Sequence, residues 1–225
     1  MLTSRRRWEQ WLEGASIATA AGLWMALVAR AWHVADGISD AALVVLALGA
    51  GSAASDWVSG LAHWFFDTFF EEDTPVIGPL LIRPFREYHR DPMAMTHHGF
   101  LELNGNNCLG LILPLAAVTL FGPVAPTSAL SRFLLFFLVV FFLGIAVTNR
   151  LHGWAHASDT SSIVRWLQAR GWILSPERHI RHHQSPYAQA YCVTHGWMNP
   201  VLDRAKFFQR AERVLVTLGL PRSTR

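Results

Sequence analysis

Four long apolar runs, separated by short polar stretches, dominate the chain: 14–31, 41–62, 108–121 and 133–148. An α-helix needs about 20 residues to cross a bilayer, and about 17 to 25 are tolerated. The first two runs reach that length, whereas the last two reach it only if flanking residues join the helix. The core of a soluble helical bundle is the alternative, but the fourth run has no polar face. The pattern therefore predicts an all-α integral membrane four-helix bundle, organised as one domain over residues 1–225.

Arginines predict the orientation of this bundle. The connection at 32–40 has no lysine or arginine, and the connection after the third run has only Arg132. Most of the other arginines lie at the amino end, within segment 65–107 and after the fourth run, including Arg5, Arg6, Arg7, Arg83, Arg86, Arg90, Arg150, Arg165, Arg170, Arg178 and Arg181. Because positive residues favour the cytoplasmic side, we expect both termini and segment 65–107 there, at the inner (plasma) membrane if the source is bacterial. The first run is too long for a signal peptide, and further runs follow it.

Composition agrees with a membrane protein and argues against other classes. Hydrophobic residues make up 52% of the 225 residues and charged residues 16%, where a soluble domain averages about 25% charged. The pI near 9.3 could suit nucleic acid, but Lys206 is the only lysine and the arginines follow the predicted topology. We therefore expect no nucleic-acid partner. Two cysteines, Cys108 and Cys192, are too few for a disulfide framework or a cysteine-rich zinc site.

Histidines give the strongest functional signal. Ten of the 11 lie on or near the predicted cytoplasmic side, and only His33 lies on the other. The orientation comes from arginines alone, so this clustering is a separate observation. It predicts a cytoplasmic histidine-rich metal-binding cap on the bundle.

The second run leaves the membrane with polar residues at helical spacing. On a helix, one stripe carries Asp56, Gly60, His63 and Asp67. Acidic groups near hydrocarbon are costly and usually face a polar interior or an ion. The alternative is an interfacial helix end with ordinary polar residues.

Two further histidine patterns follow the fourth run. His152 and His156 share a helix face and can hold one metal, although no glutamate follows His152 as in the HExxH zinc-protease signature. Ser175 and Pro176 then predict a helix start. A helix beginning there places three histidines at i, i+3 and i+4: His179, His182 and His183. Chance pairs are common, but both patterns on one side of the membrane together favour a metal site.

The predicted cytoplasmic segment supplies more candidates. Its histidines include His89, His97 and His98. Metal-bound imidazoles generally need acceptors for their second N–H. Such acceptors, or additional ligands, are predicted at five positions: Asp56, Asp67, Asp91, Glu102 and Asn106. Any one of them could instead be a solvated polar residue.

Eight or more clustered imidazoles exceed one tetrahedral site and indicate two metals. Histidine alone leaves zinc, copper, iron and nickel open. A site where membrane helices emerge suggests a lipid substrate. Oxidation of a C–H bond with O₂ needs iron or copper, whereas zinc would favour hydrolysis. A membrane hydrolase and a non-enzymatic metal carrier or sensor therefore stay open at this point.

Five blocks together resemble the plasmanylethanolamine desaturase family, also called the Kua or lipid-desaturase-domain family. The blocks begin at Asp56, Arg83, His98, His152 and His179, and the similarity covers about Asp56 to Asp203 in order and spacing. Carried over position by position, the resemblance implies catalytic metal ligands at His63, His89, His98, His152, His156, His179, His182 and His183. His97 and His195 fall outside that set. Tyr88 and Arg178 stand where some members have a further histidine.

The resemblance also implies an activity. Members are similar to membrane di-iron desaturases, which use two iron ions, O₂ and external electrons. The implied reaction is formation of the vinyl ether bond of plasmalogens from an alkyl ether phospholipid. The alternative within the family is a desaturase or hydroxylase of a phospholipid acyl chain. The sequence has no flavin or NAD fingerprint, so electrons would come from a separate carrier, a cytochrome b-type protein or a ferredoxin.

The carboxyl end predicts one amphipathic helix from Val201 to Leu218. Its apolar stripe includes Val201, Phe208 and Leu215. Packing along the membrane surface is the simpler interpretation, and docking of an acidic electron carrier is the other.

Overall fold

The structure, a computed structural model, describes residues 7–78, 82–122 and 128–223. Arg5 and Arg6, which contribute to the predicted orientation, lie outside the described residues. The described part folds as ten α-helices and one 3₁₀ turn: α1 Arg7–Val34, the 3₁₀ turn Gly37–Asp40, α2 Ala41–Thr68, α3 Arg83–Arg90, α4 Ala94–His97, α5 Phe100–Phe121, α6 Ala129–His156, α7 Ser162–Ala169, α8 Pro176–His179, α9 Asn199–Arg204 and α10 Phe207–Thr217.

Four of these helices are long and apolar enough to cross a membrane. They are α1, α2 with the preceding 3₁₀ turn, α5 and α6. The two short apolar runs are extended by their flanks, since α5 begins at Phe100 and α6 covers 28 residues. The predicted all-α fold with four membrane helices is therefore confirmed, and the chain is an integral membrane protein.

The chain divides into two compact units. The first contains residues 1–55 and 98–150, and the second contains 56–97 and 151–225. The boundary falls inside α2 and α6, each of which continues from one unit into the other. The predicted organisation as one domain stays a prediction.

In the first unit, the helices pack through small residues and a few side-chain hydrogen bonds. A side chain at Gly51 would meet Val140 Cβ at 2.8 Å, so α2 and α6 approach closely there. Trp24 Nε1 donates to the carbonyl of Val139 at 2.8 Å. Arg132 Nε donates to both carboxylate oxygens of Asp40 at 3.0 and 2.9 Å. These contacts fix α1 and the 3₁₀ turn against α6.

The second unit packs short helices and turns around an aromatic core. Its largest core cluster contains Trp64, Phe69, Tyr191, Cys192, Leu202 and Phe208. Ser161 caps α7 by accepting from the Val164 amide at 3.4 Å.

Two predicted helices differ from the structure. Ser175 caps α8 as expected, with its side chain accepting from the Arg178 amide, but the helix ends at His179. His182 and His183 therefore lie in a turn, in which the His182 amide donates to the His179 carbonyl at 2.8 Å. The predicted carboxyl-terminal helix is broken into α9 and α10, because Lys206 takes a left-handed conformation with φ of 49°.

Candidate metal centre

A first group of four side chains combines His63, Asp67, His89 and His182. His63 and Asp67 lie one turn apart on α2, as their spacing predicts. Asp67 Oδ2 lies 2.8 Å from His89 Nε2, 3.4 Å from His63 Nε2 and 3.4 Å from His182 Nε2. One carboxylate oxygen therefore faces three imidazole nitrogens. In this group, His63, Asp67 and His182 are buried.

Two backbone carbonyls orient these rings. His63 Nδ1 lies 3.1 Å from the carbonyl oxygen of Tyr191, and His182 Nδ1 lies 2.9 Å from that of Gln189. A carbonyl only accepts, so each Nδ1 carries a proton, and in the neutral form of each ring the lone pair is at Nε2. This is the arrangement in which the second nitrogen of a metal-binding histidine is usually held.

The second group contains His152, His156 and His179. The Nε2 atom of His179 lies 2.9 Å from that of His152 and 2.9 Å from that of His156. The Nε2 atoms of His152 and His156 lie 3.1 Å apart. The Nε2 of His183 lies 3.0 Å from that of His179. Two ligands at right angles, each about 2.1 Å from an ion, would be about 3.0 Å apart. The spacing of the three nitrogens therefore fits one metal ion.

Burial keeps two imidazoles uncharged, that of His179 in the second group and that of His183 beside it. Burial, and the positive charge that His152 and His156 would carry, hold the pKa of His179 well below its usual range. Similar causes, burial first and then His182, lower the pKa of His183 to about 3. Both rings are therefore neutral near pH 7, and a neutral imidazole is the form that binds a metal.

A cavity of about 520 Å³ opens beside the second group. Three histidines border it, His156, His179 and His183, and the remaining wall is largely apolar, with Met93, Ala155, Ala157 and Ile180. A hydrocarbon chain could therefore reach the imidazoles of this group.

Comparison with known proteins identifies the family. The lipid desaturase domain matches residues 52–223, which include every residue of both groups. The chain belongs to the lipid desaturase domain family.

Three relatives of this lipid desaturase domain show the range of named activities. A plasmanylethanolamine desaturase of Myxococcus xanthus is 40% identical over 204 residues, covering 91% of this chain and 71% of the relative. Plasmanylethanolamine desaturase 1 of Mus musculus is 36% identical over 178 residues, covering 77% and 65%. The chloroplastic fatty acid desaturase 4 of Arabidopsis thaliana is 34% identical over 180 residues, covering 77% and 53%. No solved structure matches the chain.

Family membership confirms the predicted class of enzyme, an oxidoreductase that desaturates lipids. It also gives the histidine groups a chemical context, because a desaturase needs a redox centre and these groups supply clustered metal ligands. Seven of the eight histidines predicted as ligands lie in or beside the two groups.

The eighth histidine and four other predicted residues lie outside both groups. His98 belongs to the first unit, where its Nε2 lies 3.8 Å from a carboxylate oxygen of Glu102. Asn106 is exposed on α5. Asp91 accepts from the Met93 amide at 3.1 Å beside α4. Asp56 is buried and binds backbone amides of the segment after Tyr191. Their predicted roles toward a metal stay predictions.

Asp67 and two carbonyls are the parts of the site that sequence patterns reveal least. The spacing predicts Asp67 only as a possible additional residue, whereas in the structure it lies at the centre of the first group. The carbonyls of Tyr191 and Gln189 carry no side-chain signature. Only the fold, which returns segment 187–194 to α2, could reveal them.

His97 and His195 fall outside the predicted ligand set, and neither belongs to a group. His97 is exposed at the end of α4. His195 Nδ1 lies 2.6 Å from the carbonyl of Trp172, and its ring stacks on Trp197. The His195 side chain therefore contacts Trp172 and Trp197 and is not one of the clustered ligands.

Proposed function

We propose that the chain is a membrane di-iron lipid desaturase that forms the vinyl ether bond of a plasmalogen from an alkyl ether phospholipid. The observation that carries the proposal is the pair of histidine groups in the second unit, each of which brings three imidazole nitrogens within 4.8 Å of one another. Two named relatives, from Myxococcus xanthus and Mus musculus, are plasmanylethanolamine desaturases.

The donor sets fit iron. The first group offers three nitrogens and one carboxylate oxygen, and the second offers three nitrogens with His183 adjacent. In the first group, the Nε2 atoms of His63 and His182 each lie 3.4 Å from Asp67 Oδ2, and the neutral rings would direct their lone pairs at that carboxylate. Such an arrangement calls for a cation. Imidazole suits iron and zinc alike, but zinc has no redox chemistry, and membership of a desaturase family therefore favours iron.

Iron bound there would supply the O₂ chemistry that removes hydrogen from an unactivated C–H bond. Overall, the first two carbons of the alkyl chain, counted from the ether oxygen, each lose one hydrogen, and the C–C bond between them becomes double. O₂ takes up those two hydrogens, two electrons and two protons, giving two waters. The two electrons come from a separate carrier, a cytochrome b-type protein or a ferredoxin.

The side chains and carbonyls of the second unit prepare this site in three ways. The carbonyls of Tyr191 and Gln189 hold the rings of His63 and His182 with their Nε2 lone pairs inward. Asp67 supplies negative charge in a buried place. The largely apolar cavity beside the second group admits a hydrocarbon chain.

Desaturation of a phospholipid acyl chain is the second candidate. The relative named as a chloroplastic fatty acid desaturase favours it. An apolar cavity accepts an alkyl and an acyl chain equally well, so the lipid product must decide between them.

The orientation of the site is part of the proposal. The arginine distribution supports a cytoplasmic position for both termini and for the histidine site. Single cysteines at Gly37 and Ser162, in a variant without Cys108 and Cys192, should react with an impermeant thiol reagent from outside and inside respectively. External labelling at Ser162 would contradict this orientation.

Lipid analysis of a suitable host tests the function. The host should make alkyl ether phospholipids but no vinyl ethers, and should be grown with and without O₂. Expression of the chain should yield acid-labile vinyl ether lipids only with O₂, and the His152→Ala variant at equal expression should yield none. A new acyl double bond would support the second candidate. An iron-loaded protein that makes neither product with O₂ and an electron donor would overturn the proposal.

A further inference from the structure

Asp56 makes an unusual set of contacts near the site. Its carboxylate is fully buried. Oδ1 accepts from the backbone amides of Thr194 at 3.2 Å, His195 at 2.7 Å and Gly196 at 2.8 Å. Oδ2 accepts from the amide of Met198 at 2.9 Å. One side chain on α2 thus binds four amides of a single turn, which is a concave anion site made of backbone N–H groups.

Further along the same face of α2, toward His63, two more residues contact the segment that Asp56 binds. Ser59 Oγ accepts from the amide of Val193 at 3.1 Å. Gly60 lies so close to Cys192 that a Cβ there would meet Sγ at 2.6 Å and the amide nitrogen at 3.1 Å. The next residue on this face is His63. The segment therefore runs antiparallel along α2, from residue 198 back to 191.

The contact ends at an imidazole of the first histidine group. His63 Nδ1 lies 3.1 Å from the Tyr191 carbonyl. Residues 192–198 are bound to the preceding two turns of α2, and these contacts help to hold that carbonyl in position. Removing the Asp56 carboxylate would leave several buried amides without an acceptor, which costs more than losing an exposed hydrogen bond.

We infer that Asp56 is a positioning residue of the metal site. It fixes segment 194–198 and, through it, the Tyr191 carbonyl that accepts a hydrogen bond from the Nδ1–H of His63. This contact sets both the tautomer and the ring orientation of His63, and with them the direction of its Nε2 lone pair. Asp56 itself is committed to backbone amides and does not bind the metal. The inference rests on the proposed function, because it takes His63 as a metal ligand.

Metal retention in Asp56→Asn tests this role. The full-length protein is loaded with ferrous iron without O₂ and titrated with a chelator, while its thermal unfolding midpoint is measured in parallel. Mutation of groups that orient metal ligands typically lowers metal affinity about 10- to 100-fold. We expect a loss of that size for the ion of the first group. Ser59→Ala, which removes one contact to the same segment, should show a smaller loss and serves if Asp56→Asn does not fold.

A matched control is Asp40→Asn. Asp40 is also a buried aspartate next to α2, but it lies in the first unit and binds Arg132. This variant should lower the unfolding midpoint without changing iron retention. If Asp56→Asn behaves in the same way, the residue is only structural and the inference is overturned.

A double-mutant cycle with His63→Ala gives the sharper result. If Asp56 acts through His63, Asp56→Asn should lower iron retention little further once His63 is gone, so the two effects are not additive. Fully additive effects would overturn the inference. Wild-type iron binding is measured first: its absence contradicts the proposed function, whereas normal wild-type binding with an unaffected Asp56→Asn contradicts only this inference.

Discussion

The Nε2 atoms of His152 and His179 lie 2.9 Å apart, although 27 positions separate the two residues. His156 completes a triangle of nitrogens with sides of 2.9 to 3.1 Å. A neutral imidazole whose Nε2 donates has no lone pair there with which to accept, so the three Nε2 atoms cannot all hydrogen-bond to one another in such a triangle. A cation at the centre uses all three lone pairs. This geometry is the strongest structural support for a metal in the second group.

Replacing His182 by alanine should abolish desaturation. The residue is fully buried, contributes one nitrogen to the first group, and cannot be replaced by a neighbour that is already engaged. Loss of an orienting contact alone can cost about 10- to 100-fold in activity, so loss of a ligand should cost more. Product lipid per unit of expressed protein is the measurement.

The controls for His182→Ala are His33→Ala and His195→Ala, which should keep activity close to that of the wild type. The His195 side chain stacks on Trp197 outside both groups. A loss at His195 as severe as at His182 would show that the site extends further than proposed.

Asp67→Asn should remove one of two metal ions. The amide keeps the shape of the side chain but loses the negative charge that faces three imidazoles. The second group takes its ligand atoms from other residues. Iron analysis should therefore give about one iron per chain, against the two proposed for the wild type. Retention of both ions would show that Asp67 is dispensable for binding.

Gly60→Ala should destabilise the second unit. The new methyl group would overlap Cys192, and overpacking of this kind typically costs about 1–3 kcal/mol. Gly49→Ala on the same helix is the control, since nothing lies within 4 Å of the added carbon. The unfolding midpoint in detergent should fall for Gly60→Ala and stay level or rise for Gly49→Ala. Equal midpoints for the two variants would contradict the close contact.

Acid should destabilise the metal-free protein. The pKa of His183 is about 3 in the folded protein, whereas an unfolded histidine has a pKa of about 6.5. Between these two pKa values the unfolded chain binds more protons than the folded protein does. The contribution of His183 to the free energy of unfolding is therefore fully present above about pH 6.5 and is lost as the pH falls toward the pKa of the folded state. The unfolding midpoint of chelator-treated protein should drop on acidification below about pH 6.5. The His183→Gln variant should show a shallower decline, and an unchanged slope would contradict the assignment.

Much of the fold can be predicted because its signals are local. Apolar length and the absence of a polar face predict four membrane helices, and the spacing of His152 and His156 predicts their shared face. The termini of α5 and α6 cannot be predicted from hydropathy, because each helix continues through polar residues beyond the apolar run.

The candidate site is only partly predictable because its final geometry depends on distant segments. The periodicity of His179, His182 and His183 predicts one helix, but the chain turns after His179 and directs His182 to the first group and His179 to the second. The break at Lys206 is likewise invisible in the amphipathic pattern, since a left-handed lysine is a consequence of packing on either side. Every residue type has a backbone carbonyl, so the sequence does not reveal the two carbonyls that orient His63 and His182.

Iron content measured together with activity tests the central claim most directly. The wild-type protein should be purified without O₂, its iron and zinc quantified per chain, and its desaturase activity measured after iron removal and after reloading. The account predicts two irons per chain, activity that is lost on removal and returns with ferrous iron, and a dependence on O₂ and an electron donor. One tightly bound zinc per chain, with activity that does not depend on iron, would contradict it.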